Sequence, residues 1–157
     1  MLGIIALGEA VNQLLPDLNA NFTQTVQLKA SFKEALSEIA EIKINGYDQT
    51  ENVMDPTYCM ASPYILNVSF IGVKGEVLLH ALEMQGIYVA TGSACSSKKK
   101  AHSHVLKALG LKESQLDSAI RFSFGHSTTS EELIQAAKII KKVVSDLRSI
   151  MKNSKRR

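Results

Sequence analysis

Apolar positions recur along this chain with two periods, and each period marks an element. Ile4, Leu7, Val11 and Leu14 are spaced three, four and three apart, one face of a helix. Pro16-Asp17 interrupts that helix. Leu28, Phe32, Leu36 and Ile39 resume the helical period and predict a long helix from about Asn21 to Ala40. A short strand at Ile42–Asn45 follows, closed by Gly46. Residues 46–63 are polar and contain Asp55-Pro56 and Ser62-Pro63, a long loop of the kind that tends to be functional. In Ile65–Phe70, Leu66, Val68 and Phe70 share one face while Asn67 and Ser69 share the other, which is a strand.

The second half repeats the alternation of periods. Gly75–Gln85 carries Leu78, Leu79 and Leu82 as a helix, and Gly86 is placed to end it. Ile87–Ala90 reads as a short strand and Ser103–Leu109 as a short helix ended by Gly110. From Ala119 to Phe124, Ile120, Phe122 and Phe124 face one way and Ala119, Arg121 and Ser123 the other. Thr129-Ser-Glu-Glu132 is a capping box, opening a last helix striped by Leu133, Ala137, Ile140, Val144, Leu147 and Met151. The order predicts an α+β fold, a small mixed sheet covered by helices. No internal repeat or low-complexity segment interrupts it.

Composition narrows the class without naming a function. At 157 residues one domain with a single core is expected. The 45% hydrophobic and 21% charged content is that of a globular chain, and a net charge of +3 does not call for nucleic acid. Lys152, Lys155, Arg156 and Arg157 read as a solvated tail. The apolar start lacks a basic leader and is broken by Glu9, so neither a signal peptide nor a membrane span is expected. Cys59 and Cys95 have no metal-site spacing; a pairing between them stays open, but no secreted framework is suggested. A reducing, cytoplasmic setting is the simplest expectation, with no metal, nucleic acid or membrane as partner.

Cys95 is the first candidate for chemistry. It sits within Ala90-Thr-Gly-Ser-Ala-Cys-Ser-Ser97, and Lys98, Lys99 and Lys100 follow at once. A buried structural thiol is the alternative, since free cysteine is often buried. The small flanking residues offer no apolar stripe to bury it, and three lysines favour the thiolate. Flexible flanks also suit a nucleophile that moves between two places. Arg121 is the second candidate. In mid-strand it is either paired with a surface carboxylate or free to grip one with two parallel hydrogen bonds, and spacing alone leaves both open. His102 and His104 follow the cysteine loop closely and are candidates for proton transfer, with one of them expected only to start the next helix. Asn67, off the apolar face of its strand, is a candidate for a structural hydrogen bond or a substrate contact. Cys59 reads as incidental.

Four segments carry a family resemblance in the same order. They are Asn67-Val-Ser-Phe-Ile-Gly-Val-Lys-Gly-Glu76, Gly86-Ile-Tyr-Val-Ala-Thr-Gly-Ser-Ala-Cys-Ser-Ser97, Ser103-His-Val-Leu-Lys-Ala-Leu-Gly110, and Ser118-Ala-Ile-Arg-Phe-Ser-Phe-Gly125 with Thr128-Thr-Ser-Glu-Glu132. The chain resembles the C-terminal small domain of the NifS/IscS-like cysteine desulfurases, within the class-V aminotransferases. The resemblance implies that residues 1–20 are the helix leading from a large domain. It makes residues 21–152 the small domain, with the catalytic loop at about 90–102, and residues 153–157 the tail. It implies Cys95 as the nucleophile that becomes a persulfide and Arg121 as the salt-bridge partner of the substrate carboxylate. It implies L-cysteine as substrate, alanine as product and pyridoxal phosphate as the electron sink of the complete enzyme. Selenocysteine is not separated from cysteine. It also implies a sulfur-acceptor protein, an iron–sulfur scaffold or a tRNA-thiolation enzyme, and a homodimer.

One departure from the family pattern bears on activity. The family's pyridoxal lysine lies in a Ser-x-His-Lys context on a large domain, and no His-Lys dipeptide occurs in this chain. The Arg-x-Gly-Thr motif of that domain is also missing, and His126 stands where the family often has arginine. The expectation is therefore an incomplete enzyme, a cut-out piece or one half of a split site. It binds no cofactor by itself and is inactive alone. Two other readings remain: a non-catalytic sulfur-carrier or interaction module, and an inactive remnant. Leu2, Ile4, Ile5 and Leu7 are expected on a face open to self-association.

Overall fold

A computed structural model describes residues 1–46, 62–92 and 102–154, with the side chains of residues 153 and 154 excepted. Its elements are α1 (Leu2–Leu14), α2 (Leu18–Ser37), β1 (Ile42–Asn45), β2 (Ile65–Phe70), α3 (Gly75–Glu83), α4 (His104–Ala108), α5 (Glu113–Leu116), β3 (Ala119–Ser123) and α6 (Ser130–Ser154). The three strands form one sheet in the order β1-β2-β3. Both pairings are antiparallel, so the sheet is antiparallel throughout rather than mixed.

Alternation along the strands decides which face is buried. Leu66, Val68 and Phe70 of β2, with Ile120 and Phe122 of β3, face the core with Phe124 just beyond it. Across from them lie the helical stripes read from sequence: Phe32 and Leu36 of α2, Leu78 and Leu82 of α3, and Ala137, Ile140 and Val144 of α6. Phe32 meets Phe122 and Phe124 edge-on, with ring centroids 5.2 and 5.8 Å apart. Edge-on contact sets the positive ring edge against the negative face and adds to the burial of the rings. Helices α2, α3 and α6 thus cover one face of the sheet, and the other carries Asn67 and Arg121 together with the buried Ser69 and Ala119.

Local signals end and start the helices where the chain must turn. Gly86, at φ +76°, takes the left-handed conformation that stops α3, and the Ile87 N–H bonds back to the Leu82 carbonyl. That closure draws Ile87–Ala90 away from regular pairing. The predicted strand there is reduced to one bridge, Ala90 to Arg121. At the start of α6, Thr129 Oγ1 accepts from the Glu132 N–H at 3.3 Å while Glu132 Oε2 accepts from the Thr129 N–H at 2.9 Å. This is the capping box expected from the sequence. Among the described residues no helix is long and apolar enough to cross a membrane.

Candidate functional site

The open face of the sheet is built from the alternate residues of three strands. Register places Asn45 opposite Asn67, and Asn67 opposite Arg121, so the three make one row across β1, β2 and β3. Arg121 directs both of its main-chain groups outward from β2. Its N–H donates to the Ala90 carbonyl at 2.7 Å, and its carbonyl accepts from the Ala90 N–H at 3.1 Å. An antiparallel residue that exchanges both bonds on one side exchanges none on the other. Asn67 and Arg121 are therefore a non-hydrogen-bonded pair, the kind that brings side chains closest.

Arg121 itself is exposed, and no described carboxylate pairs with it. Of the two readings left open by spacing, the ion pair with a surface acid is thus absent among the described residues. A planar guanidinium with its donors free is suited to a carboxylate, which it meets with two parallel bonds. Asn67 is half-buried, and its Oδ1 accepts from Asn45 Nδ2 at 2.7 Å. The structural hydrogen bond expected for Asn67 is therefore present, and it uses only the oxygen.

The cysteine loop is described at its two ends. Residues 93–101, including Cys95 and Lys98 to Lys100, lie outside the described residues, as does Cys59. At the upstream end, Ala90 is fixed to the Arg121 backbone five positions before Cys95. At the downstream end, Ser103 caps α4 by accepting from the Leu106 N–H. The ends meet: a Cβ added to Gly92 would lie 2.7 Å from the Ser103 Cβ, so only glycine fits there unless one side moves.

The histidines take separate positions. His102 is held by α5, its Nε2 2.9 Å from Glu113 Oε1 and 3.6 Å from Asp117 Oδ1. Two carboxylates on one ring nitrogen fix the imidazole beside the loop's exit. His104 is exposed at the first position of α4. Sequence reasoning missed Asn45, Ser69 and Gln115, which lie behind Asn67. Ser69 is fully buried although it sits on the polar face, because its hydroxyl donates to the Gln115 carbonyl at 2.8 Å. The only signal for Gln115 was its place three residues after Lys112, where its side-chain oxygen accepts from the Lys112 N–H.

The groove between α2 and β1 does not suit pyridoxal phosphate. That group needs a lysine aimed at its aldehyde and donors around a dianionic phosphate. The open groove of about 650 Å³ between α2 and β1 offers Lys33 beside Glu34 and Glu41, with Ile39, Ile42 and Ile44 as wall. Two carboxylates against one ammonium repel a phosphate, and the groove's lining shares no residue with the Arg121 face. No group of three or more described His, Cys, Asp or Glu side chains is placed to hold a metal ion.

Relatives carry the same stretch of sequence in longer proteins. The family model described as Aminotransferase class-V matches residues 1–135. Over 147 residues the chain is 35% identical to the cysteine desulfurase IscS of Vibrio cholerae, covering 94% of this chain and 33% of that protein. The cysteine desulfurase IscS of Pseudomonas entomophila is 37% identical over the same length and coverage. The chain thus spans about one third of the length of the curated relatives it matches. A solved NifS-like protein superposes with a TM-score of 0.65 at 25% identity, over 85% of this chain and 30% of that one.

Proposed function

The chain belongs to the class-V aminotransferase family, and from that premise we propose that it supplies half of a cysteine desulfurase site. Cys95 is the nucleophile and Arg121 the clamp for the carboxylate of L-cysteine. The observation that carries this reading is the placement of Arg121. It is exposed, pairs with no described acid, and is tied through its backbone to Ala90, which leads into the cysteine loop. A substrate held by its carboxylate at Arg121 therefore sits beside the residue bridged to Ala90, five positions before Cys95.

The chemistry asked of these residues is a sulfur transfer. The Cys95 thiolate attacks the substrate sulfur, and an S–S bond forms as the C–S bond breaks. The electron pair of the broken bond stays on carbon, which takes up a proton to leave alanine. Cys95 keeps the sulfur as a persulfide and passes it to an acceptor thiol. Pyridoxal phosphate, where the complete enzyme holds it, would supply the electron sink for that carbon. No His-Lys dipeptide occurs in this chain, and in this reading the lysine that carries the cofactor belongs to a separate cofactor-holding domain. Two cysteines without a disulfide framework fit a reducing, cytoplasmic setting.

Sulfide release from L-cysteine, with pyridoxal phosphate and a thiol reductant, tests the reading. The chain alone should release none. Mixed with the separately made cofactor-holding part of a curated relative, it should release sulfide. Cys95→Ser should abolish that release, and Arg121→Ala should lower kcat/KM by about a hundredfold or more, as expected for loss of a charged clamp. Sulfide release by the chain alone would contradict the divided site. Persulfide acceptance that is indifferent to Arg121 would favour a simple sulfur carrier instead.

A further inference from the structure

Behind Asn67 runs a chain of side-chain amides whose polarity is set by backbone groups, the donor and acceptor roles of which are fixed. The Lys112 N–H donates to Gln115 Oε1 at 3.2 Å. Gln115 must then turn its NH₂ outward, and Nε2 donates to Asn45 Oδ1 at 3.4 Å. Asn45 in turn uses both hydrogens of Nδ2, one to Asn67 Oδ1 at 2.7 Å and one to Ser69 Oγ at 2.6 Å. Ser69 gives a second, independent anchor. Its hydroxyl hydrogen goes to the Gln115 main-chain carbonyl, so it can only accept from Asn45. Both anchors demand the same orientation of Asn45.

The consequence falls on Asn67. Its oxygen is engaged by Asn45 from the β1 side, which leaves Nδ2 as its free donor for the β3 side. There its register partner is Arg121, in the pairing that brings side chains closest. No described acceptor takes the Asn67 Nδ2 hydrogens. The reverse orientation would aim Oδ1 at Arg121, where it would bond the guanidinium and compete with any incoming acid. The relay prevents this and leaves two amide hydrogens beside the guanidinium fork.

We propose that Asn67 is a second donor for the carboxylate that Arg121 grips, and that Gln115 and Asn45 are positioning residues that keep it a donor. The proposal rests on the reading of Arg121 as a carboxylate clamp. It adds a specificity element: a three-point donor surface favours the planar carboxylate over neutral isosteres such as a carboxamide, which would set an NH₂ against donors.

The test uses the full chain labelled with ¹⁵N, titrated with acetate and L-alanine, with alaninamide and chloride as controls at constant ionic strength. The Asn67 side-chain NH₂ and the Arg121 Nε–H signals should move together and saturate with the two carboxylates, and stay in place with the controls. Asn67→Asp sets a charged acceptor beside Arg121 and should weaken acetate binding about tenfold or more, with the backbone spectrum retained. Gln115→Glu keeps the acceptor for the Lys112 N–H but sets a carboxylate oxygen against Asn45 Oδ1, a repulsion that opposes the Ser69 anchor. It should shrink the Asn67 response while the Arg121 response persists. Movement of Arg121 with a silent Asn67 would overturn the proposal and leave the Arg121 reading intact. Silence of both would contradict the clamp and the proposal with it. A Gln115→Glu variant with unchanged affinity and an unchanged Asn67 response would overturn the positioning role.

Discussion

Arg121 takes its character from where its backbone bonds go. With its N–H and carbonyl engaged by Ala90, its side chain is pressed towards Asn67 and left without a described acid. The alternation of β3 made that face legible in the sequence, and Asn67 was legible as a polar position on β2. Asn45 and Gln115 were not, because contacts between residues 70 apart in the chain leave no local periodicity. Gly92 is a second residue with a narrow role. Gly92→Ala sets its Cβ against Ser103 at the base of the cysteine loop. It should cost about 1–3 kcal/mol in urea unfolding, the usual penalty of an inserted methyl group. It should also perturb the amide signals of Ser103 and Leu106 first. Glu38 gives a pH-dependent prediction. Its carboxyl lies below the ordinary glutamate value, through the hydrogen bond from Lys141 Nζ at 2.7 Å and then through that ammonium's charge. A carboxylate whose folded value is lowered stabilises the fold above its unfolded value, and that contribution is lost as pH falls through the folded one. The stability difference between wild type and Glu38→Gln, read in thermal melts, should be present at neutral pH, vanish in acid, and shrink with added salt.

At the scale of elements, periodicity explained the helices and strands better than it explained their joints. β1 and β2 have the predicted bounds, and β3 ends one residue early. The stripes of α2, α3 and α6 are the faces that meet the sheet. The stretch Ile87–Ala90 has strand-like residues but only one bridge, because the closure of α3 holds its first residue. α5 escaped notice because one turn is too short for a period to emerge. The turn from α2 to β1 depends on a residue with no local signal at all. Arg148 of α6 donates from Nη1 to the Ala40 carbonyl at 2.7 Å, from Nη2 to the Glu41 carbonyl at 3.1 Å, and from Nε and Nη2 to the Ile71 carbonyl. Glu41 takes a left-handed φ of 54°, a conformation unfavourable for a side chain with a Cβ and held here by that grip. Arg148→Ala should lower unfolding stability by about 2–3 kcal/mol, the worth of charge-assisted bonds left unmade. Arg148→Lys should recover only part of it, since a point charge cannot span three carbonyls.

The whole molecule is asymmetric in what it covers. Its core lies between the sheet and α2, α3 and α6, whereas α1 contributes nothing to it; every residue of α1 is exposed. Leu2, Ile4 and Leu7 are 86%, 76% and 67% exposed, an apolar surface that water disfavours. The isolated chain should therefore self-associate in sedimentation experiments, and Ile4→Glu with Leu7→Glu should restore a monomer. A wild-type monomer at all concentrations would contradict that expectation. The same asymmetry divides the sheet: one face holds the core, and the other presents Arg121 beside the segment that leads to Cys95. In the proposed site Cys95 and Arg121 act in one sulfur transfer. The most direct test is mass spectrometry of the chain after incubation with L-cysteine, pyridoxal phosphate and the cofactor-holding part of a relative. A mass gain of one sulfur atom on the peptide containing Cys95, lost in Arg121→Ala, is the predicted result. A gain on Cys59, or no gain on either cysteine while sulfide is still released, would contradict the account.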